Sequence, residues 1–137
     1  MKKLNSILLL FIMLLAACGG GAETAVSPEV DVANLPDTVD VATVNALLNN
    51  DDVLLIDVRE QWEYDEGHLP GITLIPMGDV PNRLSEIPTD KEVILTCRSG
   101  NRSGQVTDFL RQQGYTNVHN MEGGIVAWQA AGFPVEQ

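Results

Sequence analysis

Basic residues are scarce in this 137-residue chain, where Lys and Arg together number 8 against 19 Asp and Glu, for a formal net charge of −11. Nucleic acid and anionic lipid headgroups are poor partners for so acidic a surface, because both are polyanions. Histidine and cysteine are scarcer still, at 2 each, so no ligand set of tetrahedral metal-site spacing can be assembled. Long hydrophobic runs are missing too. The apolar stretch from Ile7 to Ala17 covers 11 residues, well short of the ~20 that a helix needs to cross a bilayer. No internal repeat interrupts the rest, which excludes solenoids and propellers.

What stands at the amino end has an order of its own. Met1, Lys2 and Lys3 precede the apolar stretch, and the small residues Ala16 and Ala17 precede Cys18. That is the charged, apolar, small-residue order of a secretory signal. Leu15-Ala16-Ala17-Cys18 resembles the lipobox of bacterial lipoproteins, which implies cleavage after residue 17 and diacylation of Cys18. Residues 18–37 carry a glycine run, two prolines and four carboxylates without an aromatic, a composition that cannot fold alone. They are expected to form a flexible, lipid-anchored tether in the bacterial cell envelope, holding the domain in the periplasm or on the extracytoplasmic side. The lack of Asp directly after Cys18 fits outer-membrane sorting where the host has such a membrane.

Residues 38–137, about 100 in number, match one ordinary domain. Removal of Lys2 and Lys3 leaves six basic residues against 19 carboxylates, or −13. Three of those six, Arg98, Arg102 and Arg111, lie in or just after one short segment. If Cys18 is lipidated, Cys97 has no partner for a disulfide. A lone thiol in an oxidising compartment is a liability unless it is buried or used, and the polar residues around Cys97 favour use.

Asp40 precedes Val41, Val44, Leu47 and Leu48 at helical spacing, the pattern of an N-capped short helix. Val53 to Ile56 is a continuous apolar run of strand length, suited to a strand covered on both faces. Gly67 to Gly71 is a turn cluster, Ile72 to Ile75 a short strand, and Pro81 opens a predicted helix through Leu84 and Ile87 that Pro88 ends. Val93 to Thr96 is a strand, Cys97 to Ser103 a loop, and Val106, Phe109 and Leu110 the inner face of a helix ending at Gly114. A strand around Val118 and a short helix after Gly123-Gly124 complete the alternation. Strands and helices at this spacing predict a three-layer α/β domain, a mostly parallel sheet with helices on both faces.

Ligands of open α/β sheets bind outside the carboxyl ends of the strands, and Cys97 follows a strand directly. Its side chain is expected to face the loop and stay accessible. Backbone amides of a tight strand-to-helix loop and the amino end of the next helix both favour a thiolate. With Arg98 and Arg102 nearby, the Cys97 pKa is expected below the ~8.5 of a free thiol, making it a nucleophile.

Three blocks in this order resemble the rhodanese sulfurtransferase family: Asp57-Val58-Arg59-Glu60 with Gly67-His68-Leu69-Pro70-Gly71, then Cys97-Arg98-Ser99-Gly100-Asn101-Arg102-Ser103, then Gly123-Gly124-Ile125-Val126-Ala127-Trp128. Ile72 and Leu74 depart from the Ala and Asn usual there. The resemblance implies transfer of a sulfane sulfur from a donor such as thiosulfate through a Cys97 persulfide to cyanide, a small thiol or a dithiol protein, without metal or organic cofactor. It implies that the amides of Arg98, Ser99, Gly100, Asn101, Arg102 and Ser103 stabilise the persulfide, and that Arg98 and Arg102 hold a small anionic donor. Asp57 and Arg59 are expected to support the loop as an ion pair, in a monomer that meets the membrane only through its lipid.

Two other functions remain open. Phosphatases and arsenate reductases of related architecture place five residues between Cys and Arg, whereas four lie between Cys97 and Arg102, a cradle sized for one sulfur. Non-catalytic rhodanese-like binding modules lack the Cys that this chain keeps. His68 and His119 are expected to be structural, and Trp62 and Trp128 to be core or pocket-wall residues. Cells fed radiolabelled fatty acid are expected to label the wild-type protein and not Cys18→Ser, and an unlabelled wild type removes the anchor.

Overall fold

A computed structural model describes residues 29–137. The leader, Cys18 and the first part of the expected tether lie outside the described residues.

The elements run β1 (Thr38–Val39), α1 (Val41–Ala46), β2 (Val53–Asp57), α2 (Gln61–Glu66), β3 (Thr73–Leu74), β4 (Glu92–Thr96), α3 (Asn101–Gln112), β5 (Val118–Met121) and α4 (Gly124–Ala130). The five strands form one parallel sheet in the order β1-β5-β4-β2-β3. The long central strands β2 and β4 pair in register from Val53 opposite Glu92 to Asp57 opposite Thr96. Each is apolar through most of its length, as a strand covered on both faces must be.

Alternation along the strands divides the core in two. Val93 and Leu95 of β4 turn to the side of Val106 and Leu110 of α3, joined by Ile56, Ile75 and Val118. Ile94 turns to the opposite side, with Leu55, Val44 of α1 and Ile125 and Trp128 of α4. Cys97 keeps the beat of Val93 and Leu95 and falls on the α3 side. The predicted three-layer α/β architecture is the one observed.

Local signals explain most boundaries. The Asp40 carboxylate accepts from the Thr43 amide at 2.8 Å and starts α1. Gly114, at φ 97°, follows the end of α3. The helix predicted from Pro81 is instead a pair of 3-10 turns, Val80–Asn82 and Leu84–Glu86. Two 3-10 turns suffice to bury Val80 and Ile87, so no longer helix is needed there. Both β1 and α2 went without a sequence signal: the first has two residues, and the second is short, polar and without an apolar stripe.

The domain also begins before the expected residue 38. Val30, Val32 and Leu35 pack on the α1/α4 side of the core. Asp31 caps a turn over Val32–Asn34, and the carbonyl of Asp37 accepts from the Asn120 amide at 3.0 Å. Prolines and carboxylates between these apolar residues hide their spacing, so composition alone assigns them to the tether.

The last helix is fixed by a contact only glycine permits. Gly124 has φ 59°, and a Cβ there would sit 2.5 Å from the carbonyl carbon and oxygen of Arg98 and from the carbonyl oxygen of Cys97. Gly124→Ala is expected to cost about 2 kcal/mol or more and to lower Tm by about 10 °C. Thermal unfolding measures this, and a variant that melts with the wild type contradicts the close approach.

Candidate active site

The site forms where β2 and β4 end side by side. After Thr96 the chain turns through Cys97 to Gly100, whose φ of 95° is left-handed, and enters α3 at Asn101. The carbonyls of Cys97 and Arg98 accept from the amides of Ile125 and Val126 in the first turn of α4, at 2.9 and 3.1 Å. Asn120 Nδ2 donates to the Gly100 carbonyl at 3.1 Å. With these carbonyls turned outward, loop amides face the sulfur.

Sγ of Cys97 accepts from the Gly100 amide at 3.1 Å and from the Ser103 hydroxyl at 3.3 Å. Burial pushes the thiol up, but the Ser103 hydroxyl and the amides of Ser103, Ser99 and Gly100 pull it further down, so the balance lies below the ordinary thiol value. Neutral donors hold this thiolate, as in an oxyanion cradle.

Two of the expectations change. Cys97 is 1 % exposed, not open on the loop. The cause is the alternation of β4, which carries its side chain toward α3. Arg102, expected to hold the donor, points its guanidinium at Glu63, with two bonds of 2.7 Å to the two carboxylate oxygens. Hydrogen bonding from Arg102 outweighs burial and pulls the Glu63 carboxyl down to about 2, with help from the Glu60 amide and the charges of Arg102 and Arg59.

Asp57 and Arg59 pair in the buried floor behind the loop. Arg59 Nε lies 3.0 Å from both Asp57 oxygens and Nη2 lies 2.7 Å from one of them. The same guanidinium donates to the carbonyls of Glu63 and Gly67, at 3.2 and 2.7 Å. It thereby ties the end of β2 to the first turn of α2 and to the residue that caps its carboxyl end. Arg98, Ser99 and Asn101 are exposed, and Arg98 lines a cleft of about 310 Å³ between α2 and α4. Trp62 and Glu66 form one wall of the cleft, and Ile125, Val126 and Gln129 the other.

The remaining candidates are structural. His68 stacks on Tyr64 with ring centroids 3.7 Å apart, its Nδ1 lying 2.9 Å from the Tyr64 carbonyl. His119 lies between the Pro36 carbonyl and the Glu92 carboxylate, at 2.7 and 2.6 Å. Trp128 is buried and donates to the Pro134 carbonyl at 2.8 Å. Among the described residues no cluster of His, Cys, Asp and Glu is arranged to hold a metal. Glu63 and Asn120 escaped the sequence reading. Glu63 stands three residues after Glu60, a helix-start spacing, and Asn120 is a polar residue at a strand's carboxyl end; both signals are weak alone.

The geometry agrees with the likenesses of the chain. The model of the rhodanese-like domain family matches residues 40–131. A sulfurtransferase of Allochromatium vinosum is 46% identical over 89 residues, 65% of this chain and 83% of the relative. The thiosulfate sulfurtransferase GlpE of Pseudoalteromonas translucida is 31% identical over 93 residues, 68% of this chain and 89% of the relative. The crystal structure of a rhodanese-related protein from Thermoplasma volcanium superposes with a TM-score of 0.68 at 29% identity, covering 74% of this chain and 98% of the other.

Ser103 supplies the one side-chain donor to the sulfur among the described residues. Ser103→Ala is expected to raise the pH midpoint of Cys97 alkylation by about one unit, the equivalent of losing about 1.4 kcal/mol of thiolate stabilisation. Iodoacetamide rates across pH measure it, and an unmoved midpoint takes Ser103 out of the cradle.

Proposed function

The chain belongs to the rhodanese-like domain family, and on that premise we propose that it is a sulfurtransferase carrying sulfane sulfur on Cys97. The observation behind this reading is the hydrogen-bonded thiol: Sγ receives the Gly100 amide and the Ser103 hydroxyl at the end of β4.

In the first step the Cys97 thiolate attacks the outer sulfur of a donor. The new Sγ–S bond forms as the donor's bond to that sulfur breaks, S–S in thiosulfate or polysulfide and C–S in mercaptopyruvate, and the leaving group departs with the electron pair; from thiosulfate that group is sulfite and from mercaptopyruvate the enolate of pyruvate. The transferred sulfur extends about 2 Å beyond Sγ, among the amides between Ser99 and Ser103. In the second step a nucleophilic acceptor, such as cyanide, a small thiol or a thiol of a dithiol protein, attacks that outer sulfur and returns Cys97 as thiolate. Nothing is oxidised or reduced overall, so the cycle needs no external oxidant or reductant. Burial of Sγ suits this cycle, because only the second sulfur has to reach the acceptor.

Lipidation at Cys18 would place the domain on the outer side of a bacterial membrane, where acceptor thiols of exported proteins are within reach. The acidic surface agrees with an anchor made by lipid alone, since it has nothing to offer anionic headgroups.

Incubation with thiosulfate, polysulfide or mercaptopyruvate is expected to add the mass of one sulfur atom to the protein. Cyanide is expected to remove it as thiocyanate. Cys97→Ser is expected to do neither and still fold. A Cys97→Ser protein that keeps wild-type transfer overturns the mechanism, and a wild type with a reactive thiol that takes sulfur from none of these donors is a binding module.

A further inference from the structure

The cleft beside the loop is wider than an inorganic donor requires and carries less positive charge than its arginines suggest. Its volume of about 310 Å³ falls in the range of sites for small organic ligands, roughly 300–1,000 Å³. Arg59 and Arg98 line it, Arg102 lies outside the lining on Glu63, and two of these three are already neutralised. Arg59 is spent on Asp57 and on two backbone carbonyls. Arg102 is spent on Glu63, whose carboxylate is ionised wherever a thiolate exists. Among the described residues only Arg98 at this mouth has no carboxylate partner. Glu66 lines the same cleft and, among the described residues, forms no ion pair, so the two leave the cleft formally neutral. Trp62, 63% exposed, and Val126, 49% exposed, line it too.

Building on the sulfurtransferase reading, we propose that Glu66, with Glu63 silencing Arg102, is a specificity-determining residue that turns the site from inorganic dianions toward zwitterionic organic persulfides. A dianion such as thiosulfate meets one free cation, one free anion and a molecule of net charge −11. An amino-acid persulfide finds a complement for each group: its carboxylate faces Arg98, its ammonium faces Glu66, and its carbon chain covers Trp62 and Val126. The terminal sulfur is then delivered to Cys97. The thiolate attacks the outer sulfur of R–S–SH, the Cys97 Sγ–S bond forms, the donor S–S bond breaks, and R–S⁻ leaves with the electron pair. The proton stays on the transferred sulfur or passes to R–S⁻, and charge balances without any redox partner.

The test compares single-turnover sulfur loading of the full-length protein by thiosulfate and by freshly generated cysteine persulfide, read by intact mass against donor concentration. Wild type is expected to load from cysteine persulfide with at least about tenfold higher efficiency. Glu66→Gln is expected to raise the efficiency with thiosulfate about threefold and Glu66→Lys about tenfold, through a lower half-saturation concentration at unchanged limiting rate, while both lose efficiency with cysteine persulfide. Glu66 is exposed, so neither variant threatens the fold. About 0.5 M salt is expected to shrink these differences, because the charges are screened. Equal use of both donors by wild type, or thiosulfate efficiencies that stay within about twofold in Glu66→Lys, overturn the specificity while leaving Cys97 as sulfur carrier. If neither donor loads Cys97, the sulfurtransferase reading falls and the specificity falls with it.

Discussion

Two backbone hydrogen bonds hold the site in shape: the carbonyls of Cys97 and Arg98 are received by the amides of Ile125 and Val126. A peptide unit whose oxygen is turned to one partner presents its N–H in the opposite direction. Committing these carbonyls to α4 therefore frees the following amides to face Sγ. The commitment requires the start of α4 to lie almost against the loop, and Gly124 is what permits that distance. The amides of Ile125 and Val126, in the first turn of α4, would in turn be unsatisfied without these carbonyls. Each half of the contact completes the other, so the Gly-Gly block and the Cys-containing loop, more than 20 residues apart, act as one unit.

The sulfur itself balances two opposed effects. Burial at 1 % exposure disfavours a thiolate, and hydrogen bonds from neutral groups more than offset it, leaving the thiol below its ordinary value. The nucleophilicity of a thiolate falls as its pKa falls, so a sulfur held too strongly attacks poorly. A free Arg102 at the loop end would deepen the stabilisation by a full charge. Its pairing with Glu63 at 2.7 Å removes most of that charge from the sulfur's surroundings.

Much of this architecture is legible in the sequence because strong local signals and tertiary demands coincide. Apolar runs at Val53–Ile56 and Val93–Leu95 can only be strands covered on both faces, and they are the sheet's centre. Cys97 is recognisable as a site residue from its place after a strand, among polar and basic neighbours. Its burial was not, because the expectation stopped the strand at Thr96 and let the side chain follow the loop; the alternation of β4 runs one residue further. The partner of Arg102 was hidden for another reason. Glu63 is 39 residues away along the chain and sits on a helix with no apolar stripe to announce it. Charge near a motif is visible in one dimension, whereas its neutralisation is a long-range contact.

The segment before β1 shows the same limit from the other side. Composition counts Pro28, Pro36 and the carboxylates of residues 19–37 as a tether, yet Val30, Val32 and Leu35 need only one apolar surface to become part of the domain. That surface is the α1/α4 side, the side that also carries Ile125 and Trp128. His119 adds a polar fastening, with one ring nitrogen toward the Pro36 carbonyl and the other toward Glu92. The ring lies between a backbone carbonyl and a carboxylate, which fixes residue 36 to the sheet.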